Sequence, residues 1–230
     1  MFSVLISAYH KEKSIAQCLE SLINQTTKED FEIIVVDNIS TDKTHQIASK
    51  YPRKLNMKVI KEPRKGRGSA RFAGFRAAKG EIILSLDADA IAPTNWIDTM
   101  ISNFKTAKIV AVTGTGRIDD CSPTVNKSFN VIQPMAMKSY RLFAGHFWLT
   151  GFNFAIRSEI YKKAGGFNPD LKANEDIDLA IRVAKLGKIK FVHFPMTVSG
   201  RRVKNGFVKG MFSYVPGYIQ QFALKKPQDL

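Results

Sequence analysis

Two pairs of acids are placed where they could do chemistry. In EIILSLDADA, Asp87 and Asp89 stand two residues apart at the end of an apolar run, and the period of a strand would aim both side chains the same way. Such a pair suits a hard divalent cation, Mn2+ or Mg2+, which takes carboxylate oxygens and commonly completes its shell with substrate phosphates. A lone D-x-D equally suits a strand-end carboxylate capping a turn, with a solvated neighbour. In KANEDIDLAIRVAKLG, Glu175 and Asp176 fall in the first turn of a helix whose apolar face is Ile177, Leu179, Ala180, Ile181 and Val183. Acids there complement the helix dipole, but two adjacent ones cannot both serve a cap. Either, if it faces a crevice, could take the proton of an acceptor hydroxyl as a general base.

The elements that must position these acids are legible as alternating patterns. The β-branched runs FSVLISA, FEIIVVD, MKVIK and EIILSLD alternate with helical patterns at Lys11 to Gln25, Thr41 to Lys50 and Gly68 to Lys79. That alternation predicts an α/β fold with a mostly parallel open sheet covered by helices on both faces. Ligands of such sheets lie beyond the carboxyl ends of the strands. The residues there are Tyr9, His10 and Glu12, then Asp37 and Asn38, then Asp87 and Asp89, so three strand ends converge on one crevice. Further on, the sequence predicts a helix over Pro93 to Phe104 and a strand at IVAVTG. Ser122 to Gly145 reads as mainly helix interrupted at Pro134, and HFWLTGFNFAI as a glycine- and aromatic-rich stretch. A short helix near Ser158 to Ala164 and a helix capped by Asn174 and stopped by Gly187 complete the reading.

Composition narrows the function classes. The 230 residues are 44% hydrophobic, enough to bury a core near the upper end of single-domain size. Cys18 and Cys121 lie far apart without a metal-type spacing, which predicts neither a disulfide framework nor a zinc site and fits a reducing compartment. The N-terminal apolar stretch is cut short by Tyr9, His10 and Lys11, unlike a signal peptide, and no run has the length of a membrane span. The expected location is therefore cytoplasmic, or peripheral on the cytosolic face of a membrane. Lys and Arg total 35 against 20 Asp and Glu, a formal charge of +15, which favours anionic partners. The excess is concentrated in Lys50 to Lys79, with eleven basic residues against Glu62 alone, and in Arg182 to Lys226, with ten and no acid.

Four segments together resemble the family 2 glycosyltransferases over roughly Phe2 to Arg202: SVLISAYHKEKSIAQCLESLINQT, FEIIVVDNISTDKT, GRGSARFAGFRAAKGEIILSLDADA, and GFNFAIRSEIYKKAGGF with NEDIDLAIRVAKLG. The resemblance implies a GT-A fold, with a nucleotide-binding half at 1–115 and an acceptor half at 116–202. It implies inverting, metal-dependent transfer from a nucleotide-diphosphate sugar, most often a UDP-sugar, to a saccharide or lipid-linked acceptor. By the same likeness Asp37 contacts the base, and Ala8, Tyr9 and Glu12 lie along the nucleotide. Asp89 binds the metal, Asp87 the ribose or a water, and Asp176 is the base with Glu175 beside it. Arg71 is a donor contact in the glycine-rich segment. Arg201 and Arg202 in SGRRV are the expected cations for the departing diphosphate, since the guanidinium fork pairs with phosphate oxygens. His193 in KFVHFP reads either as a third metal ligand or as a core histidine.

Other readings differ in what they require. PRKGRGSARFAG lacks both the P-loop and the dinucleotide spacing, because Arg71 stands in place of the third glycine. A basic nucleic-acid-binding protein would need the Lys/Arg surfaces but not the acids; no nucleic-acid motif is present and no nucleic-acid partner is expected. A nucleotidyltransferase would show a glycine-rich signature where this chain has SAYHKEKSIAQC. In the last segment, 203–230, Val208, Met211, Phe212, Val215, Ile219 and Phe222 recur at helical spacing with Lys204 and Lys209 nearby. That pattern suits either an amphipathic helix on an anionic membrane surface or a helix packed on the domain and kinked at Pro216.

Overall fold

The structure is a computed structural model that describes residues 1–51, 56–171 and 173–204. The expected amphipathic segment after Lys204 lies outside the described residues. Eight strands form one sheet: β1 (Phe2–Ala8), β2 (Phe31–Asp37), β3 (Met57–Lys61), β4 (Ile82–Asp87), β5 (Ala90–Ile91), β6 (Ile109–Arg117), β7 (Phe154–Arg157) and β8 (Lys188–Val198). Their order is β3-β2-β1-β4-β7-β6-β8-β5. β1 runs parallel to β2 and β4, β2 to β3, and β6 to β8, whereas β7 is antiparallel to both its neighbours and β5 to β8. The open, largely parallel sheet expected from the sequence is present, with β7 as an antiparallel strand inside it.

Alternation along β1 decides the layers. Val4 and Ile6 join a core with α1 (Ile15–Ile23), α2 (Thr44–Ala48) and α4 (Trp96–Ile101) on one face, through Leu19, Ala48 and Trp96. Leu5 points the other way, into a core with α3 (Arg67–Ala77), α5 (Pro123–Ala144), α6 (Ser158–Lys163) and α7 (Glu175–Ala184), through Phe75, Met137, Tyr161 and Leu179. Central strands are apolar on both faces because both are covered. One expectation is corrected. α5 runs unbroken through Pro134 and ends at Gly145 in the left-handed conformation. The proline removes one backbone bond, but Met137 packs into the core below and Asn130 and Gln133 bond to Ile118 and Gly116, which holds the helix on both sides. Asn174 precedes α7 with φ 59° but makes no side-chain cap bond.

Register delivers the site. The pairing Ala8 to Asp37 and Ser7 to Asp87 sets the ends of β2, β1 and β4 side by side. The chain winds outward from β1 to β2 and β3 and then returns to β4 on the other side, so the order reverses between β1 and β4, where such sheets bind ligands.

Candidate active site

The end of β2 is a buried anchor. Asp37 is buried; one carboxylate oxygen accepts from the Ser40 N–H at 3.2 Å, and the other lies 3.4 Å from His45 Nδ1. Asn38, also buried, donates through Nδ2 to the carbonyls of Glu62 and Arg64 at 2.9 and 2.7 Å and accepts from the Gly66 N–H at 2.9 Å. It thereby ties the strand end to the glycine-rich segment. Past β1, Tyr9 is exposed and stacks on His10 with ring centroids 4.1 Å apart, and Lys65 Nζ lies over the Tyr9 ring 5.4 Å from its centroid. Glu12 accepts from the Lys43 N–H at 3.1 Å. His10 and Ile39 both hold left-handed backbone, φ 50° and 54°, an uncommon conformation for side-chain-bearing residues, the more so for a β-branched one. Both turns follow strand ends, at the mouth of the crevice.

The D-x-D acids do not share a partner. Asp87 closes β4 and accepts from Arg71 Nη2 at 2.9 Å and from the Ser7 hydroxyl at 3.2 Å. Asp89 lies beyond the strand, in the turn before β5, and pairs with Lys11 Nζ and, at 3.6 Å, with Arg201 Nη2. The strand ends at Asp87 and Asp89 follows in the turn, so the two carboxylates have different protein partners. Burial pushes the Asp87 carboxyl up, but Arg71, Arg67 and the bonds from Arg71 and Ser7 outweigh it and hold it below the usual range.

Arg71 is buried, with only 2% exposure, rather than presented to the cleft. Its Nη1 pairs with Glu175 and its Nη2 with Asp87, while Gly151 packs against the guanidinium so closely that a Cβ there would meet Nη1 at 2.6 Å. A direct donor contact by Arg71 would need this arrangement to open. Glu175 is fully buried; burial raises its carboxyl, the Arg71 charge opposes, and Asp176 adds to the rise, leaving the group above its ordinary value. Arg71 thus joins the end of β4 to the start of α7, its bond to Glu175 spanning 104 residues of sequence.

Asp176 faces differently. It is half-buried, and its Oδ2 accepts from the Gly151 N–H at 3.1 Å while Oδ1 accepts from the Ile177 N–H at 3.0 Å. Gly151 is itself fixed, since its carbonyl accepts from Ser85 Oγ at 2.8 Å. Next to it, the buried Asn153 accepts from Trp96 Nε1 at 2.9 Å and donates to the carbonyls of Thr115 and Phe194. A side chain bonded to three separate elements was not visible in HFWLTGFNFAI, because its partners lie 38 to 57 residues away.

A cleft of about 520 Å³ is lined by His10, Lys11, Glu12, Asp42, Asp89, Asp119, Asp120 and Arg201 among others, and so takes in Glu12, Asp89 and Arg201 of the expected site residues but not Asp37, Asp87, Glu175 or Asp176. Asp119 and Asp120 were not singled out in the sequence. Asp120 accepts from the Gly200 N–H at 2.7 Å and from Ser199 Oγ at 3.0 Å, which fixes the SGRR turn where Arg201 reaches Asp89. Arg202 is exposed. His193 is exposed on β8, neither in the core nor among the cleft-lining residues. No group of three or more His, Cys, Asp or Glu side chains that could hold a metal occurs among the described residues. Of the two D-x-D carboxylates, Asp89 is the one that lines the cleft and could be offered to a cation. That fits a Mn2+ or Mg2+ ion whose other ligands come from substrate phosphates and water.

The family model for glycosyl transferase family 2 matches residues 3–165. A curated relative, the probable glycosyltransferase YdaM of Bacillus subtilis (strain 168), is 32% identical over 210 residues, 86% of this chain and 49% of its own. The poly(ribitol-phosphate) beta-N-acetylglucosaminyltransferase TarS of Staphylococcus aureus (strain Mu50 / ATCC 700699) is 43% identical over 91 residues, 38% of this chain and 16% of its own. The chain spans about half the length of the first and matches a much smaller share of the second. Among solved structures, S. aureus TarS 1-349 in complex with UDP-GlcNAc superposes with a TM-score of 0.69 at 23% identity, covering 87% of this chain and 58% of that one. The mannosyltransferase PcManGT from Pyrobaculum calidifontis, in complex with GDP-Man and Mn2+, gives 0.67 at 20% identity, covering 94% and 64%. These two likenesses establish the GT-A fold.

Proposed function

This chain belongs to glycosyl transferase family 2, and from that premise we propose that it transfers a sugar from a nucleotide-diphosphate sugar to an acceptor hydroxyl or phosphate, with inversion and with Asp176 as general base. The observation that carries the reading is the Asp87–Arg71–Glu175 bridge, which ties the end of β4, next to the D-x-D turn, to the start of α7. The activities for which the relatives are named support it, as do the UDP-GlcNAc and GDP-Man held by the two structural neighbours. A UDP-sugar is the donor we infer first, and a saccharide or lipid-linked molecule the acceptor.

In this account the base and ribose lie over the ends of β1 and β2, along Ala8, Tyr9, Glu12 and Asp37. The diphosphate enters the cleft, where Lys11 and Arg201 already sit beside Asp89 and can turn to phosphate oxygens. A divalent cation held by Asp89 and the diphosphate would supply further positive charge to the leaving group. Arg71 and Glu175 fix the backbone at the start of α7, and the Gly151 N–H orients the Asp176 carboxylate. As the acceptor oxygen forms its bond to the anomeric carbon, the bond to the diphosphate breaks and its electron pair leaves with the diphosphate. The acceptor proton passes to Asp176. One displacement inverts the anomeric centre, with no covalent sugar–protein intermediate.

Calorimetric titration with UDP, GDP and TDP, each with Mn2+ and with EDTA, followed by sugar-nucleotide hydrolysis, tests this. Metal-dependent binding of one nucleotide and slow hydrolysis of its sugars is the expected result. Binding of none of the three would overturn the reading.

A further inference from the structure

Among the described residues, helix α5 turns one face to β6 and leaves the other uncovered. Met137 is fully buried beneath it, and Asn130 and Gln133 bond to Ile118 and Gly116. On the opposite side Phe143 is 92% exposed, Leu142 83%, Met135 60%, Val131 52% and Ile132 37%. At 3.6 residues per turn these five side chains fall within an arc of roughly 120° and extend over about 18 Å of helix. Scattered exposed apolar residues need no explanation, but five gathered on one arc of a single helix, with the exposed Ser139 among them, mark an interaction surface. Lys127 and Lys138, both exposed, border the same face, and Arg141 follows one turn later. From Cys121 through Ser158 the sequence contains no acid at all.

We propose that the outer face of α5 docks on the surface of a lipid bilayer carrying anionic headgroups. Charge chooses the occupant. An apolar stripe edged by lysines on an acid-free segment of a chain with formal charge +15 complements a negatively charged interface, where long basic side chains reach headgroups while apolar ones enter the acyl boundary. The helix lies on the membrane and does not cross it. Although α5 has 22 residues, no helix among the described residues is long and apolar enough for a span. Its inner face bonds to Ile118, next to Asp119 and Asp120 at the cleft. Docking would therefore bring the cleft close to the membrane, where a lipid-linked acceptor would be met. That last consequence rests on the transferase reading; the docking itself does not.

The test is flotation of the chain with vesicles of phosphatidylcholine alone and of phosphatidylcholine mixed with phosphatidylglycerol, at low and high salt. The wild-type chain is expected to float with the anionic vesicles at low salt. Leu142→Ser/Phe143→Ser should raise the lipid concentration for half-binding by at least about tenfold, from the loss of two buried apolar side chains. Lys127→Glu/Lys138→Glu should remove the dependence on phosphatidylglycerol and salt. Both pairs are exposed, and unchanged thermal unfolding would show each variant folded. Absence of the wild-type chain from the floating fraction would overturn the proposal. So would undiminished flotation of both variants, which would place any binding in another segment, or a dimer by sedimentation that Leu142→Ser/Phe143→Ser abolishes in a chain without lipid affinity. Loss of flotation with donor binding intact would separate this inference from the transferase reading.

Discussion

Replacing Arg71 by Met keeps the length of the side chain and removes its charge. Glu175 is then a fully buried carboxylate without its counter-ion, and Asp87 loses its closest cation. Breaking a buried pair by deleting one partner costs about 3–5 kcal/mol, a large part of the roughly 5–15 kcal/mol that holds a domain folded. For a chain of this size that corresponds to a fall in Tm of roughly 6–20 °C. Most of it belongs to Glu175, because the Asp87 side chain is part-exposed and solvent screens its share. Neutralising the carboxylate as well should rescue the loss, so Arg71→Met/Glu175→Gln is expected to be at least about 2 kcal/mol more stable than the sum of the single changes implies. The loss also depends on pH. Burial already raises the Glu175 carboxyl, and without Arg71 the protonated form is favoured further. The penalty for Arg71→Met should therefore shrink as pH falls and the buried carboxyl takes up its proton. Urea unfolding of the four proteins at pH 7 and pH 5 measures all of this. A penalty below about 1 kcal/mol, additive single changes, or a penalty equal at the two pH values would refute the reasoning.

Asp89→Ala should abolish the difference in nucleotide affinity between Mn2+ and EDTA; an unchanged difference by calorimetry would place the cation elsewhere. At Gly68 an added Cβ would come within 2.6 Å of the Leu171 carbonyl oxygen and closer still to that of Asn168. Gly68→Ala should therefore push α3 off the loop before α7 and cost about 1–3 kcal/mol, read as a lower urea midpoint; an unchanged midpoint would contradict that contact. Glu32 is buried, which raises its carboxyl, but the Lys79 N–H, the Ser3 hydroxyl and Lys58 outweigh this and lower it. A depressed carboxyl contributes stability above its unfolded value that is lost as pH falls through the folded one. Glu32→Gln should thus be less stable at pH 7 and lose less on acidification below about pH 4.5, and parallel pH curves for the two proteins would contradict it.

How much was legible depended on whether partners were near in sequence. β1, β2 and β4 could be read directly because strands covered on both faces are apolar throughout, and their ends delivered Asp37, Asp87 and Asp89. Helix ends were overextended: Thr41 to Lys50 contracts to α2 at Thr44–Ala48, and Pro93 to Phe104 to α4 at Trp96–Ile101. Turn and cap residues continue the apolar rhythm there without continuing the helix. β7 is four residues long and buried between β4 and β6, too short for a period to show. The burial of Arg71 could not be read at all, since its partners stand 16 and 104 residues away and only the topology brings them together. The same holds for Asp120, whose role is to fix a turn 80 residues later.

The most direct test of the account is turnover by Asp176→Asn in a chain that still binds donor. Asparagine keeps the shape of the side chain and an oxygen to accept from Gly151, but it cannot take a proton. The account predicts nucleotide affinity within about twofold of wild type and a loss of sugar transfer or hydrolysis on the order of 10²–10⁴. Near-normal turnover with donor binding intact would contradict it.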